Sequence, residues 1–143
     1  MILEEANYQR TMKRDVEPYL RSYEKDGYIE SYDKTAIYYR TYRIPQAKAG
    51  IVISHGFCEF AEKYKEVIYY FLKNGYSVYV PEHRGHGYSD RIVVDGEKVH
   101  IEDYEQYVQD LYFFVKNVVE PTEKRKILFC HSMGGAIGVR YLE

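Results

Sequence analysis

The chain has no tryptophan, only two cysteines and four prolines, and no apolar run near the length that crosses a bilayer. A membrane helix needs about 20 consecutive apolar residues, so a spanning segment is not expected. Cys58 and Cys130 are too far apart in sequence for metal-ligand or redox spacing. Both read as buried free thiols of a reducing compartment, which points away from a disulfide framework. Charge of one sign is also missing. A formal net charge of -2 supplies no basic field for nucleic acid, and no nucleic-acid partner is expected. The opening Met1-Ile2-Leu3-Glu4-Glu5 carries acid where a secretory leader carries positive charge. The reading is therefore cytoplasmic, with at most peripheral membrane contact. No repeat, low-complexity tract or glycine-serine linker interrupts the 143 residues, which suit a single core.

Tyrosine is what the chain has in excess, with 18 copies spread from Tyr8 to Tyr141. That dispersal favours half-buried strand and helix positions over one aromatic binding surface. Residues 1–27 read as a helical segment, with Asp15 as its cap, Val16, Tyr19, Leu20 and Tyr23 on one face, and Gly27 as its stop. Tyr28 to Tyr32 and Ala36 to Ile44, split by Asp33-Lys34, predict an antiparallel hairpin. From Gly50 the pattern changes. Ile51-Val52-Ile53, Val78-Tyr79-Val80 and Ile127-Leu128-Phe129 are short continuous apolar runs, as expected of parallel strands covered on both faces. Between them lie two helical patterns. One carries Tyr64, Val67, Ile68, Phe71 and Leu72 and stops at Asn74-Gly75. The other carries Tyr104, Tyr107, Val108, Leu111, Val115 and Val118; Asp103 and Gln106 predict a capping box at its start, and Pro121 its end. The order is that of an α/β sheet, so residues 28–143 read as a partial α/β core.

Three turns follow the three parallel strands, at the ends where open α/β sheets gather ligands. His55-Gly56-Phe57 can aim a backbone amide outward. His83 and His86, in the glycine loop Pro81 to Asp90, lack a helical register and a third ligand, so no metal site is expected. That loop also lacks the glycines and lysine of a phosphate cradle. Arg84 reads as a residue that shapes it. Cys130-His131-Ser132-Met133-Gly134-Gly135 has the layout of a nucleophile elbow, with Ser132 at the turn. Gly134 and Gly135 are expected to be small because the backbone there passes close to its neighbours. Cys130 stands where the motif usually has glycine and reads as packing. His131 is a poor base, because successive strand side chains point to opposite faces.

Together these three segments resemble the N-terminal half of the α/β-hydrolase fold. More narrowly, they are similar to the monoacylglycerol lipase and lysophospholipase group of serine hydrolases. The resemblance implies that Ser132 is the acylated nucleophile and that the backbone amides of Phe57 and Met133 form the oxyanion hole. It implies a single-chain lipid or similar ester as substrate, with neither metal nor cofactor. In this fold the acid and the histidine follow the serine in the chain. Here the chain ends eleven residues after Ser132, so the triad partners and the cap are expected to lie outside it. Asp90, Asp95, His86 and His100 read as loop residues and not as substitutes. The 143 residues alone are accordingly expected to be inactive, and their last strand to form an exposed edge prone to association. Two other readings keep the fold: a non-catalytic or partner-dependent binding protein, and a peptidase or acyltransferase.

Overall fold

The computed structural model describes residues 2–95 and 98–143. A helical segment comes first: a 3-10 turn at Glu5–Asn7, α1 (Tyr8–Thr11), a π-helical turn at Met12–Val16, and α2 (Glu17–Arg21). The segment's helical turns begin ahead of the expected cap at Asp15 and end before the expected stop at Gly27. Asp15 lies inside it, on the π-helical turn, and caps nothing. Its carboxylate instead pairs with Arg14 at 2.7 Å. Strand β1 (Glu24–Glu30) then takes up Gly27, the expected helix stop. Gly27 sits opposite Tyr39, and a Cβ there would lie 3.1 Å from the Tyr39 hydroxyl oxygen. Long-range pairing therefore determines the state of Gly27, overriding its preference for helix ends.

Strand β2 (Ala36–Tyr42) completes the antiparallel hairpin. Its turn is closed by Ser31 N–H to Thr35 O at 2.9 Å, with Lys34 in the left-handed region at φ 67°. Strands β3 (Gly50–Ser54), β4 (Ser77–Pro81) and β5 (Lys126–Cys130) are the three apolar runs. The sheet order is β1-β2-β4-β3-β5. Strand β3 runs parallel to both β4 and β5, while β2 joins β4 antiparallel.

Helix α3 (Lys65–Lys73) follows β3 and ends where Gly75, at φ 89°, donates to Leu72 O. Helix α4 (Glu105–Phe114) and a π-helical turn (Val115–Val119) follow β4. The expected capping box forms only in part: Asp103 N–H donates to Gln106 Oε1 at 3.4 Å, but Asp103 Oδ1 accepts from Glu105 N–H at 2.9 Å, and Gln106 N–H donates to Asp103 O. Helix α5 (Met133–Leu142) follows β5.

Alternation along β3 and β4 divides the core in two. Ile51, Ile53, Val78 and Val80 face the N-terminal helices and α3, packing with Val16, Leu20, Ile68 and Leu72. Val52 and Tyr79 face the other way, onto Leu111, Phe114, Val119 and Ile137. Helices thus cover both faces of the central strands, and the exits of β3, β4 and β5 are carried to one end of the sheet.

The dispersed tyrosines have a use that their sequence pattern did not reveal. Tyr8, Tyr38, Tyr42, Tyr64, Tyr70 and Tyr79 each donate a phenolic hydrogen bond to a carboxylate. Each ring packs while its hydroxyl satisfies an acid close to the protein surface.

Candidate active site

The exit of β3 is a buried histidine cluster. His55 Nδ1–H donates to Gly56 O at 2.7 Å, and His55 Nε2 accepts from the His83 amide at 3.0 Å. His83 Nε2–H in turn donates to His55 O at 3.0 Å. His86 lies edge-on to His55, and its Nδ1–H donates to Arg84 O at 3.1 Å. The buried Nε2 of His86 has no partner among the described residues. All three imidazoles are buried. Burial pushes His55 down to about 4, with a smaller contribution from His86, and holds His83 and His86 below the ordinary histidine value. The rings are therefore neutral, and they join the end of β3 to the loop after β4. Among the described residues no group of side chains is arranged to hold a metal ion.

The loop after β4 is fixed by a buried ion pair. Arg84 donates to Asp110 on α4 through Nε and Nη2, both at 2.7 Å, and reaches Asp33 in the hairpin turn at 2.9 Å. Asp110 also accepts from the Ser31 hydroxyl. Arg84 thus shapes the loop, as the sequence suggested, by tying it to a helix and a turn far away in sequence. Asp90 accepts from Ala36 N–H at 2.8 Å, which fastens the loop to β2.

Ser132 sits at φ 53°, ψ -121°, between β5 and α5. A serine in that region is strained by about 1–3 kcal/mol and persists only when its surroundings impose it. The surroundings are visible at Gly134. A Cβ there would lie 2.0 Å from Ser54 O and 2.5 Å from His55 O, so α5 begins hard against the end of β3. Ser54 Oγ donates to Gly134 O at 3.0 Å, and His131 N–H to Ser54 O at 3.1 Å. Gly135 corrects the expectation drawn from the motif: a Cβ there would meet nothing within 4 Å. Only the first of the two glycines is required by packing.

These contacts bring the His55-Gly56-Phe57 turn and the Ser132 elbow side by side. Met133 is the first residue of α5, where helix amides lack partners and attract negative charge. The Phe57 side chain is exposed and leans edge-on against His86, leaving its backbone on the turn beside the elbow. Cys58 follows it and is exposed, at φ 57°, which overturns its reading as a buried thiol. Cys130 is half-buried, and burial raises its thiol pKa. The His131 ring reaches Glu59, with Nδ1 at 3.2 Å from Oε2. Among the described residues no histidine hydrogen-bonds the Ser132 hydroxyl. Glu59, absent from the sequence reading, accepts from Gly56 N–H and from the Tyr64 hydroxyl, both at 2.6 Å. Its place three residues after Gly56 in a loop carried no periodic signal. Two cavities flank it. One of about 360 Å³ includes Cys58, Phe60, His86 and Tyr88, and one of about 270 Å³ includes Lys63, Tyr64, Phe129 and His131.

The chain is similar to known proteins. Residues 45–143 match the profile of the family described as serine aminopeptidase, S33. Lysophospholipase L2 of Escherichia coli (strain K12) is 37% identical over 94 residues, covering 65% of this chain and 28% of that protein. Monoacylglycerol lipase of Mycolicibacterium smegmatis is 38% identical over 97 residues, covering 64% of this chain and 32% of that protein. A carboxyl esterase from Bacillus coagulans, solved with glycerol, superposes with a TM-score of 0.70 at 23% identity, covering 82% of this chain and 39% of its own. The match to each relative thus spans less than half of that relative's length. The fold is that of the α/β-hydrolases.

Proposed function

The chain belongs to the serine aminopeptidase S33 family, and we propose that Ser132 is the acylated nucleophile of a serine carboxyl-ester hydrolase. Monoacylglycerols, lysophospholipids or similar single-chain esters are the substrate class. The observation that carries this reading is the strained Ser132 at φ 53°, held between β5 and α5 by the close approach of Gly134 to Ser54 O. The names of the E. coli and M. smegmatis relatives support an ester of that kind.

In the reaction, the Ser132 hydroxyl attacks the ester carbonyl as its proton passes to a base. The carbonyl oxygen takes up negative charge between the Met133 and Phe57 amides. Collapse of the tetrahedral intermediate expels the alcohol and leaves the acyl group on Ser132, and water repeats the sequence to release the acid. Neither metal nor cofactor has a part in it. Each oxyanion donor is worth about 10²–10³ in rate. No histidine among the described residues bonds Ser132, so residues 1–143 alone are assigned no proficient turnover. Losing the base costs on the order of 10⁶ in kcat.

The test compares residues 1–143 with the protein from the complete reading frame, each with Ser132 and with Ser132→Ala. A fluorophosphonate probe should label the complete protein at Ser132 alone. That protein should hydrolyse a monoacylglycerol or a lysophospholipid faster than an aminoacyl anilide. Preference for the anilide would favour the peptidase reading that the family's description suggests. Labelling that survives Ser132→Ala overturns the nucleophile assignment. Enzyme-like, Ser132-dependent hydrolysis of a nitrophenyl ester by residues 1–143 overturns the missing base.

A further inference from the structure

One carboxylate oxygen stands between the two turns of the site. Glu59 Oε2 accepts from Gly56 N–H at 2.6 Å and from the Tyr64 hydroxyl at 2.6 Å, and lies 3.2 Å from His131 Nδ1. Gly56 precedes Phe57 in the chain, and His131 precedes Ser132. A single atom is therefore bonded to the neighbour of the first oxyanion amide and to the neighbour of the nucleophile. Burial raises the Glu59 pKa, but the hydrogen bonds from Tyr64, Gly56 and His131 outweigh it and leave the group below its ordinary value. Glu59 is thus an anion at neutral pH, and hydrogen bonds to an ionised acceptor are roughly twice as strong as neutral ones.

Gly56 supplies a second, independent observation. A Cβ added there would lie 2.9 Å from Glu59 Oε2 and 3.1 Å from His131 Nδ1. The absence of a side chain at Gly56 is what lets the carboxylate and the imidazole meet over the turn. Both are the free ends of side chains, so an alanine would push them apart without colliding with the backbone.

We infer that Glu59 is a positioning residue that braces the Phe57 turn against the Ser132 elbow and so keeps the two oxyanion donors at a constant separation. Glu59 touches neither substrate nor nucleophile; it acts through Gly56 and His131. The inference rests on the hydrolase reading, because only there does the spacing of the Phe57 and Met133 amides matter.

The experiment is saturation kinetics of fluorophosphonate acylation at Ser132 in the protein from the complete reading frame, which separates probe binding from the acylation step. Glu59→Ala should lower the acylation constant about 10- to 100-fold, less than outright loss of a donor would, with probe affinity within about twofold. Glu59→Gln keeps an oxygen acceptor for Gly56 and Tyr64 and should recover most of the rate. Gly56→Ala should reproduce the loss with little change in melting temperature. Amide hydrogen exchange at Gly56 reads the brace without any activity and should quicken about tenfold or more in Glu59→Ala. Wild-type acylation constants in both Glu59→Ala and Gly56→Ala overturn the inference, as does unchanged exchange at Gly56. A wild-type protein that takes no label at Ser132 defeats the hydrolase reading, and the exchange measurement then decides the brace by itself.

Discussion

Strands β3 and β5 lie side by side in parallel, and each ends in a turn of the candidate site, yet they are built by different means. Every residue of β3 is buried, whereas none of β5 is fully buried, and Ile127 and Phe129 remain exposed on it. The turn after β3 is held by interior chemistry, with His55 spending both ring nitrogens on backbone groups. The turn after β5 is held by compression, with Ser132 forced to positive φ and Gly134 pressed against the end of β3. The turn after β3 is thus set by packing it inside the protein. The turn at Ser132 is instead set by local strain, and the well-packed end of β3 supplies the surface it strains against.

The contact between the two strands is the most sensitive point of that comparison. Gly134→Val should abolish cooperative unfolding in a thermal melt followed by near-UV circular dichroism, because its side chain would occupy the space of Ser54 O and His55 O. Next, Ile53→Ala in β3 should cost about 2–5 kcal/mol in urea unfolding, while Ile127→Ala in β5 should cost under about 1 kcal/mol. Equal losses at the two sites would erase the distinction between interior and rim.

Acid should then strike the β3 turn. The unfolded chain takes up a proton on His55 near its ordinary value of 6.5, and the folded protein does so only at about 4. Stability is therefore complete above pH 6.5 and drains as pH falls toward 4, by about 3 kcal/mol for this residue. Unfolding curves at pH 7 and pH 4.5 with His55→Gln as control measure it; equal pH dependence in both proteins would remove His55 as the source. At the rim, Ile127→Lys should lower any concentration-dependent self-association seen by light scattering, since a charge blunts an exposed strand edge. The smallest effect belongs to Gly135→Ala, which meets open space and should be neutral or stabilising by about 0.5–1 kcal/mol in the same urea assay.

Much of the architecture was legible because burial writes itself into local patterns. Ile51-Val52-Ile53 and Val78-Tyr79-Val80 read as covered strands, and both are buried throughout. Asp103 and Gln106 marked the start of α4, and both side chains accept backbone N–H groups there, though not as the reciprocal pair of a capping box. Failures came where a distant partner decides. Gly27 looked like a helix stop and became a strand residue opposite Tyr39. Cys58 looked buried and is exposed on a left-handed turn. Gly134 and Gly135 looked equivalent, and only one has a neighbour in the space a side chain would fill.

By itself the sequence determined the succession of strands and helices, because period, capping and turn chemistry act over a few residues. It also located Ser132 on a strand-to-helix turn, since the small residues of an elbow are adjacent in the chain. Only the tertiary structure decided that His55, His83 and His86 are neutral, that Arg84 closes on Asp110, and that Glu59 joins Gly56 to His131. Those arrangements depend on groups tens of residues apart, and on burial that exists only once the sheet has formed.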